Sequence, residues 1–202
     1  MTLEDYKDRC PHGLFDEWFA AAAGHEGQDV NAMTLATLDE TGMPQARTVL
    51  LKAHDHSEGE GEFVFYTNNE SRKGRALLAH PRAALLFFWR VQRRQVLIEG
   101  EVRQMSSEES APYYHSRPRE SRLGAWASAQ SRPIESLQAL HRQVEEQTEK
   151  YEGQDPPIPP YWRGFRLRPT RIEFWQEGAF RVHQRLVFTF TAGGWQSGLL
   201  QP

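Results

Sequence analysis

The chain is short of most features that would announce a chemistry. It holds a single cysteine, Cys10, among 202 residues. That excludes a disulfide framework, a cysteine-based metal site and a dithiol redox pair. Redox chemistry here would need a bound cofactor, and no metal site is expected. The longest apolar run, residues 83–89, is far too short to cross a bilayer. The first eight residues, Met-Thr-Leu-Glu-Asp-Tyr-Lys-Asp, are acidic and lack an apolar targeting core. A cytoplasmic protein without membrane contact is expected. Neither sign of charge dominates: the formal net charge of −3 offers no electrostatic footprint for nucleic acid. Any cationic cluster must therefore be a local pocket. There is no internal repeat, dinucleotide-binding glycine pattern, phosphate-binding P-loop, zinc-ligand spacing or nucleophile elbow.

What is present is the composition of an ordinary globule, 39% hydrophobic and 25% charged. The length suits one domain over residues 1–202, with residues 1–29 as an N-terminal helical segment. Residues 11–23 read as a helix with Pro11 at its start and Gly24 after its end. Ala32–Leu38 and residues 44–53 read as a hairpin of two strands around an Asp-Glu-Thr-Gly turn. A polar loop at 54–61 contains His54 and His56, read as solvated side chains, and leads to a strand at 62–67. Ser71 caps a helix that Pro81 ends. Strands follow at 83–89 and Arg94–Gln104. A capping box at Ser106 to Glu109 opens a further helix. Short and long helices are expected at 123–129 and 133–151, the longer with Leu137, Leu140, Val144 and Tyr151 along one side. Strands return at 162–175, 180–190 and from Trp195 onward. Six or seven strands, mostly hairpin-connected, with helices between them indicate the α+β class and an antiparallel barrel carrying peripheral helices.

Three separated segments place cations where a local rule disfavours them. A strand over 180–190 would put Arg181, His183 and Arg185 on one face, with neighbours about 6.6 Å apart. Two cations at that spacing repel by roughly 2.5 kcal/mol at an effective dielectric of about 20. Either that face is solvated or it holds an anion. Arg72 and Lys73 lie in the first turn of a helix, where the macrodipole opposes positive charge unless an anion binds. Arg47 and Lys52 are five apart, so on a regular strand they point to opposite faces. One pocket can use both only if the strand bends, ends or lies between chains. Residues 113–121, Tyr-Tyr-His-Ser-Arg-Pro-Arg-Glu-Ser, add hydroxyls and the guanidiniums of Arg117 and Arg119, a donor set suited to a phosphate monoester. Two phosphate groups account for these donors better than one, which points to phosphorylated small molecules at a barrel-edge pocket.

Residues 47–52, Tyr66-Thr67 with Ser71-Arg72-Lys73, Arg94-Gln95-Val96, residues 113–121, residues 124–131 and Glu173-Phe-Trp175 with Arg181-Val-His183 occur in order at characteristic spacing. Together they resemble the pyridoxine/pyridoxamine 5′-phosphate oxidase family. The resemblance implies an FMN-binding split β-barrel that works as a homodimer with the flavin between subunits. By motif match, FMN would be held by Arg47, Thr48, Val49, Leu50, Leu51, Lys52, Tyr66, Thr67, Arg72, Lys73, Gln95, Gln130, Ser131, Trp175 and Arg185. The substrate would fall to Lys52, Tyr113, Arg117 and Ser121 at its phosphate, with Arg181, Val182 and His183 against its ring. Arg181 and His183 are the catalytic candidates. The implied reaction is oxidation of pyridoxamine or pyridoxine 5′-phosphate to pyridoxal 5′-phosphate, with dioxygen as acceptor and hydrogen peroxide released. Alternatives are a flavin oxidase of the same fold for a phenazine-type ring and a non-catalytic FMN- or pyridoxal phosphate-binding protein. The chain departs from the family pattern at Gln184, where an acidic residue or Asn is usual, and at its end, Leu199-Leu-Gln-Pro202.

Overall fold

In the computed structural model, which describes residues 2–25, 29–56 and 61–202, the hydrophobic alternation of the strands is gathered into one curled antiparallel sheet. Its path runs β2 (Pro44–Leu50), β1 (Ala32–Leu38), β5 (Arg82–Trp89), β6 (Arg94–Gln104), β7 (Trp162–Gln176), β4 (Glu62–Asn68) and β3 (Ala53–Asp55). The pair β8 (Gln184–Thr191) and β9 (Gly194–Leu199) branches from β7. This length of β7 matters: residues 162–167 pair with β4, whereas 171–176 pair with β8. A register shift at Glu99/Gly100 bends β6 against β7, as a bulge does. A Cβ on Gly100 would lie 2.0 Å from the Arg168 carbonyl oxygen, so only glycine allows the strands to meet there.

The concave face is filled by α1 (Pro11–Ala23), whose Leu14, Phe15 and Trp18 are fully buried. Phe15 meets Phe63 and Phe87 edge-on at 5.0 and 5.3 Å, and Trp18 meets Phe174 at 5.2 Å. Each such ring removes about 150–250 Å² from water, so this helix and the sheet stabilise one another. The helices α2 (Arg72–Ala79), α3 (Ser107–Ser116), α4 (Arg119–Ala127) and α5 (Leu137–Lys150) lie outside. Among the described residues no helix is long and apolar enough to cross a membrane.

The α+β class and antiparallel half-barrel agree with expectation; several boundaries do not. The described residues form nine strands rather than six or seven. The single strand expected over 44–53 is broken into β2 and β3, because Leu51 turns inward and Lys52 donates its backbone N–H to Val64. The short helix starts four residues earlier than expected, at Arg119, and the long one starts at Leu137 on a Ser136 cap. No residue of α5 is buried, and Leu137 is 73% exposed, so its apolar side enters no core within this chain. The strand expected from Phe180 begins only at Gln184; Ala179–Arg181 is a 3-10 turn with Phe180 and Arg181 in the left-handed region at φ 56° and 66°. Residues 57–60 of the polar loop lie outside the described residues.

His54 and His56 are not simply solvated. His54 is buried and bonds His12 at 3.0 Å and Asp16 at 2.7 Å, while His56 bonds the other Asp16 oxygen at 2.8 Å. Burial, helped by the neighbouring imidazoles, pushes His12 from 6.5 down to about 4. His12 is thus neutral in the fold and protonated more readily in the unfolded chain. Its contribution to stability is complete above pH 6.5 and is lost as pH falls toward 4, about 3 kcal/mol in all. Melting temperature measured against pH should drop steeply across that window, and His12→Gln should flatten the drop.

Candidate active site

A cavity of about 600 Å³ opens where β2, β4, α2, α3 and α4 meet. Thr48, Val49 and Leu50 of β2 and Lys52, beyond the break, line its wall, whereas Arg47 does not join Lys52 there. Tyr66 and Thr67 come from β4, Lys73 from α2, Tyr113 and Arg117 from the end of α3, and Ser121 from α4, with Gln130 beyond it. These eleven expected residues therefore converge from five segments. Lining groups not singled out beforehand include Asn68, Ser128 and Trp162. Trp162 had a readable signal, an aromatic residue opening a strand after a proline-rich stretch, but only the β4–β7 pairing places it beside Tyr66.

The aromatic wall is tightly built. Tyr66 stacks on Tyr113 at 4.2 Å and on Trp162 at 5.0 Å. It can lie flat because Gly164 has no side chain; a Cβ there would come within 2.8 Å of the Tyr66 ring and 2.4 Å of the Met105 sulfur. Lys52 sits over Tyr113 at 5.7 Å and Arg117 over Trp162 at 5.1 Å. A second donor group forms beside them. Lys73 Nζ donates to Gln130 Oε1 at 2.7 Å and to Thr67 Oγ1 at 3.3 Å. The start of α2 is set by Ser71, which accepts from the Gly74 N–H as expected of its cap.

Among the described residues the lining contains three cations, Lys52, Lys73 and Arg117, and no carboxylate. Desolvation lowers the Lys73 pKa, with the nearby Arg47 charge adding to it. Desolvation likewise lowers that of Arg117, whose Nη1 is buried without a hydrogen-bond partner. Burying a positive charge without a counter-charge is unfavourable, so the cleft is electrostatically incomplete by itself. An anion would complete it.

Not every expected donor enters. Arg47 turns to the Leu35 carbonyl, Thr37 and Gln45, at 3.0, 2.8 and 3.0 Å. Leu51 is buried in the core. Arg72 is exposed and reaches Asp39 at 3.8 Å. Ser131 is exposed, next to Gln130, with φ 70°. Ser116 donates to the Tyr113 carbonyl, and Arg119 donates to the Tyr151 and Gln154 carbonyls, so neither serves the cleft.

The remaining candidates form a second cluster. Strand register places Gln95, Trp175 and Arg185 in one row across β6, β7 and β8. His183 packs on Trp175 with ring centroids 4.8 Å apart and accepts from the Gly178 N–H. Arg185 donates to Glu173 at 2.7 Å, and Arg171 takes the other Glu173 oxygen at 2.6 Å. Burial alone would raise the Glu173 pKa, but the two guanidiniums prevail and lower it. The expected common strand face for Arg181, His183 and Arg185 is absent, since Arg181 belongs to the projecting turn. Phe180 and Val182 on that turn are 97% and 67% exposed. His183 and Arg185 line a smaller cavity of about 300 Å³ with Leu3, Glu4 and Gln184.

Residues 23–151 match the family model described as pyridoxamine 5′-phosphate oxidase, and residues 162–202 match that of the pyridoxine 5′-phosphate oxidase C-terminal dimerisation region. Over 194 residues the chain is 51% identical to the pyridoxine/pyridoxamine 5′-phosphate oxidases of Brucella canis and Brucella suis, covering 95% of this chain and 94% of each relative. Among solved structures it is similar to PhzG from Burkholderia lata in complex with tetrahydrophenazine-1-carboxylic acid, with a TM-score of 0.89 and 28% identity over 98% of this chain and 96% of that one. A pyridoxamine 5′-phosphate oxidase-related, FMN-binding protein from Nostoc punctiforme shares the fold at a TM-score of 0.77 and 16% identity, over 96% of this chain and all of that one.

The uncompensated cations make a direct expectation. Millimolar inorganic phosphate should raise the melting temperature, because an anion that binds only the folded chain stabilises it by mass action. Arg117→Gln should remove most of that rise in a thermal-shift titration.

Proposed function

Because the chain belongs to the pyridoxine/pyridoxamine 5′-phosphate oxidase family, we propose that it oxidises pyridoxamine 5′-phosphate or pyridoxine 5′-phosphate to pyridoxal 5′-phosphate, with FMN as cofactor and dioxygen as acceptor. The observation that carries this reading is the cleft with three cations, an aromatic wall and no carboxylate. Its donor chemistry fits two phosphate esters. Lys73, Thr67 and Gln130 would hold the phosphate of FMN. Arg117, Ser121, Tyr113 and Lys52 would hold that of the substrate, orienting its ring along the aromatic wall. When bound, FMN supplies a two-electron acceptor that dioxygen can reoxidise with release of hydrogen peroxide.

The second cluster completes the reading. Gln95, Trp175 and Arg185 would hold FMN from a partner chain, while Arg181, Val182 and His183 would lie against the substrate ring. The match to a dimerisation region over residues 162–202, and the exposure of Phe180 and Val182 beside that cluster, support a homodimer with its sites between chains. Arg181 and His183 would position the carbon that carries the amine or hydroxyl, which gives up a hydride, and assist removal of the proton from that amine or hydroxyl; neither is assigned as sole base. From the amine, water hydrolyses the product imine to the aldehyde and releases ammonia; from the alcohol the aldehyde forms directly.

A second reading is favoured by the likeness to PhzG, whose structure holds a carboxylated ring. An oxidase for such a ring would use the same flavin residues but not the Arg117 phosphate site. Purified protein should be yellow, bleach anaerobically with pyridoxamine 5′-phosphate and release peroxide in air. Colour without bleaching would mark a non-catalytic flavin binder, and turnover indifferent to Arg117→Gln would favour the other ring.

Shared sites predict complementation. Lys73→Ala and Arg185→Ala homodimers should each be nearly inactive. Refolding an equal mixture should restore about a quarter of wild-type activity, since half the dimers are mixed and each regains one intact site of two. No recovery would place the whole site within one chain.

A further inference from the structure

Trp162 belongs to the aromatic wall of the cleft, and the reading above gives it no role of its own. It is the first residue of β7, is buried, and forms the third ring of the stack with Tyr66 and Tyr113, its ring planes 14° and 18° from theirs. Tyr114 closes the assembly edge-on at 5.1 Å. Rings packed on several sides cannot slide or tilt freely, so the indole is a fixed surface. Over it lies the Arg117 guanidinium, 5.1 Å from the ring centre. One guanidinium nitrogen, Nη2, donates to the Ser121 carbonyl at 3.0 Å, and Nη1 is the buried, unpartnered one. Tyr113, Tyr114 and Arg122 are the titratable groups that act on it, and among the described residues no carboxylate does.

Proteins ordinarily hold a half-buried arginine with a carboxylate. Here an aromatic face does that task, and the difference is chemical. A carboxylate would consume the guanidinium's charge and its paired N–H groups, whereas a ring face attracts the cation and leaves its in-plane donors free. We propose that Trp162 is a positioning residue that sets the affinity for the substrate's phosphate by holding the Arg117 guanidinium over its indole at the cleft wall, with its donors not taken up by a carboxylate. The inference rests on the reading above in which Arg117 meets that phosphate, and it adds the residue that tunes this contact.

The test uses FMN-loaded protein and the series Trp162, Trp162→Phe and Trp162→Leu, in which the attraction of the ring face for a cation weakens and then vanishes. Calorimetry with inorganic phosphate should show affinity falling roughly threefold in Trp162→Phe and about tenfold in Trp162→Leu. KM for pyridoxamine 5′-phosphate should rise in parallel, while kcat and the KM for unphosphorylated pyridoxamine stay nearly constant. In an Arg117→Gln background, Trp162→Phe should add no further loss. Should Trp162→Leu not fold, Trp162→Phe, which keeps the stack, decides the matter by itself. Unchanged phosphate affinity in Trp162→Phe, equal losses for both substrates, or multiplying losses with Arg117→Gln would each overturn the inference. A wild-type protein that does not distinguish pyridoxamine 5′-phosphate from pyridoxamine would remove the functional reading and this inference with it. A wild type that discriminates, alongside a flat Trp162 series, would remove the inference alone.

Discussion

Positive charge held out of water without a counter-charge is the constraint around which the cleft is built. Lys73 and Arg117 are both partly desolvated, both have their pKa values lowered by it, and neither has a carboxylate within the cavity. Such an arrangement persists only if the surrounding structure holds it. Lys73 is fixed by Thr67 and Gln130, and Arg117 by the Ser121 carbonyl and the Trp162 ring. The aromatic core around α1, remote from these cations, supplies the burial that offsets their cost.

The contrast with the second cluster is instructive. There Glu173 and Glu99 together compensate Arg171 and Arg185, so the charges behind the row of Gln95, Trp175 and Arg185 are paired within the chain. One region demands an anion; the other offers oriented donors and an aromatic surface. The two occupy different cavities in one chain, and Phe180 and Val182, next to His183 in the second cluster, are exposed.

The two departures from the family pattern have visible structural partners. Gln184 Oε1 accepts the Leu3 backbone N–H at 2.8 Å, tying the N-terminal turn to the start of β8. A carboxylate could accept the same bond, so the substitution changes charge more than geometry. At the chain end, the Gln201 carbonyl accepts from Arg185 at 3.0 Å and the Leu200 N–H donates to the Arg185 carbonyl. The altered terminus thus still braces the arginine through its backbone.

Read alone, the sequence determined the α1 helix, the β1 and β6 strands and the Ser71 and Ser106 caps, and it singled out residues 47–52, 71–73 and 113–121, from which Lys52, Lys73, Tyr113, Arg117 and Ser121 line the cleft. Those features follow from local periodicity, capping chemistry and the awkwardness of neighbouring cations, which need no long-range information. Tertiary structure decided which donors converge. It broke the strand at Leu51 so that Lys52 faces the cleft, turned Arg119 and Ser116 to backbone carbonyls, and replaced the expected strand at Phe180 with a left-handed turn. It also brought Trp162 beside Tyr66 across the β4–β7 pair. Side-chain direction at a strand end or helix terminus depends on partners distant in sequence, and spacing along the chain does not encode those partners.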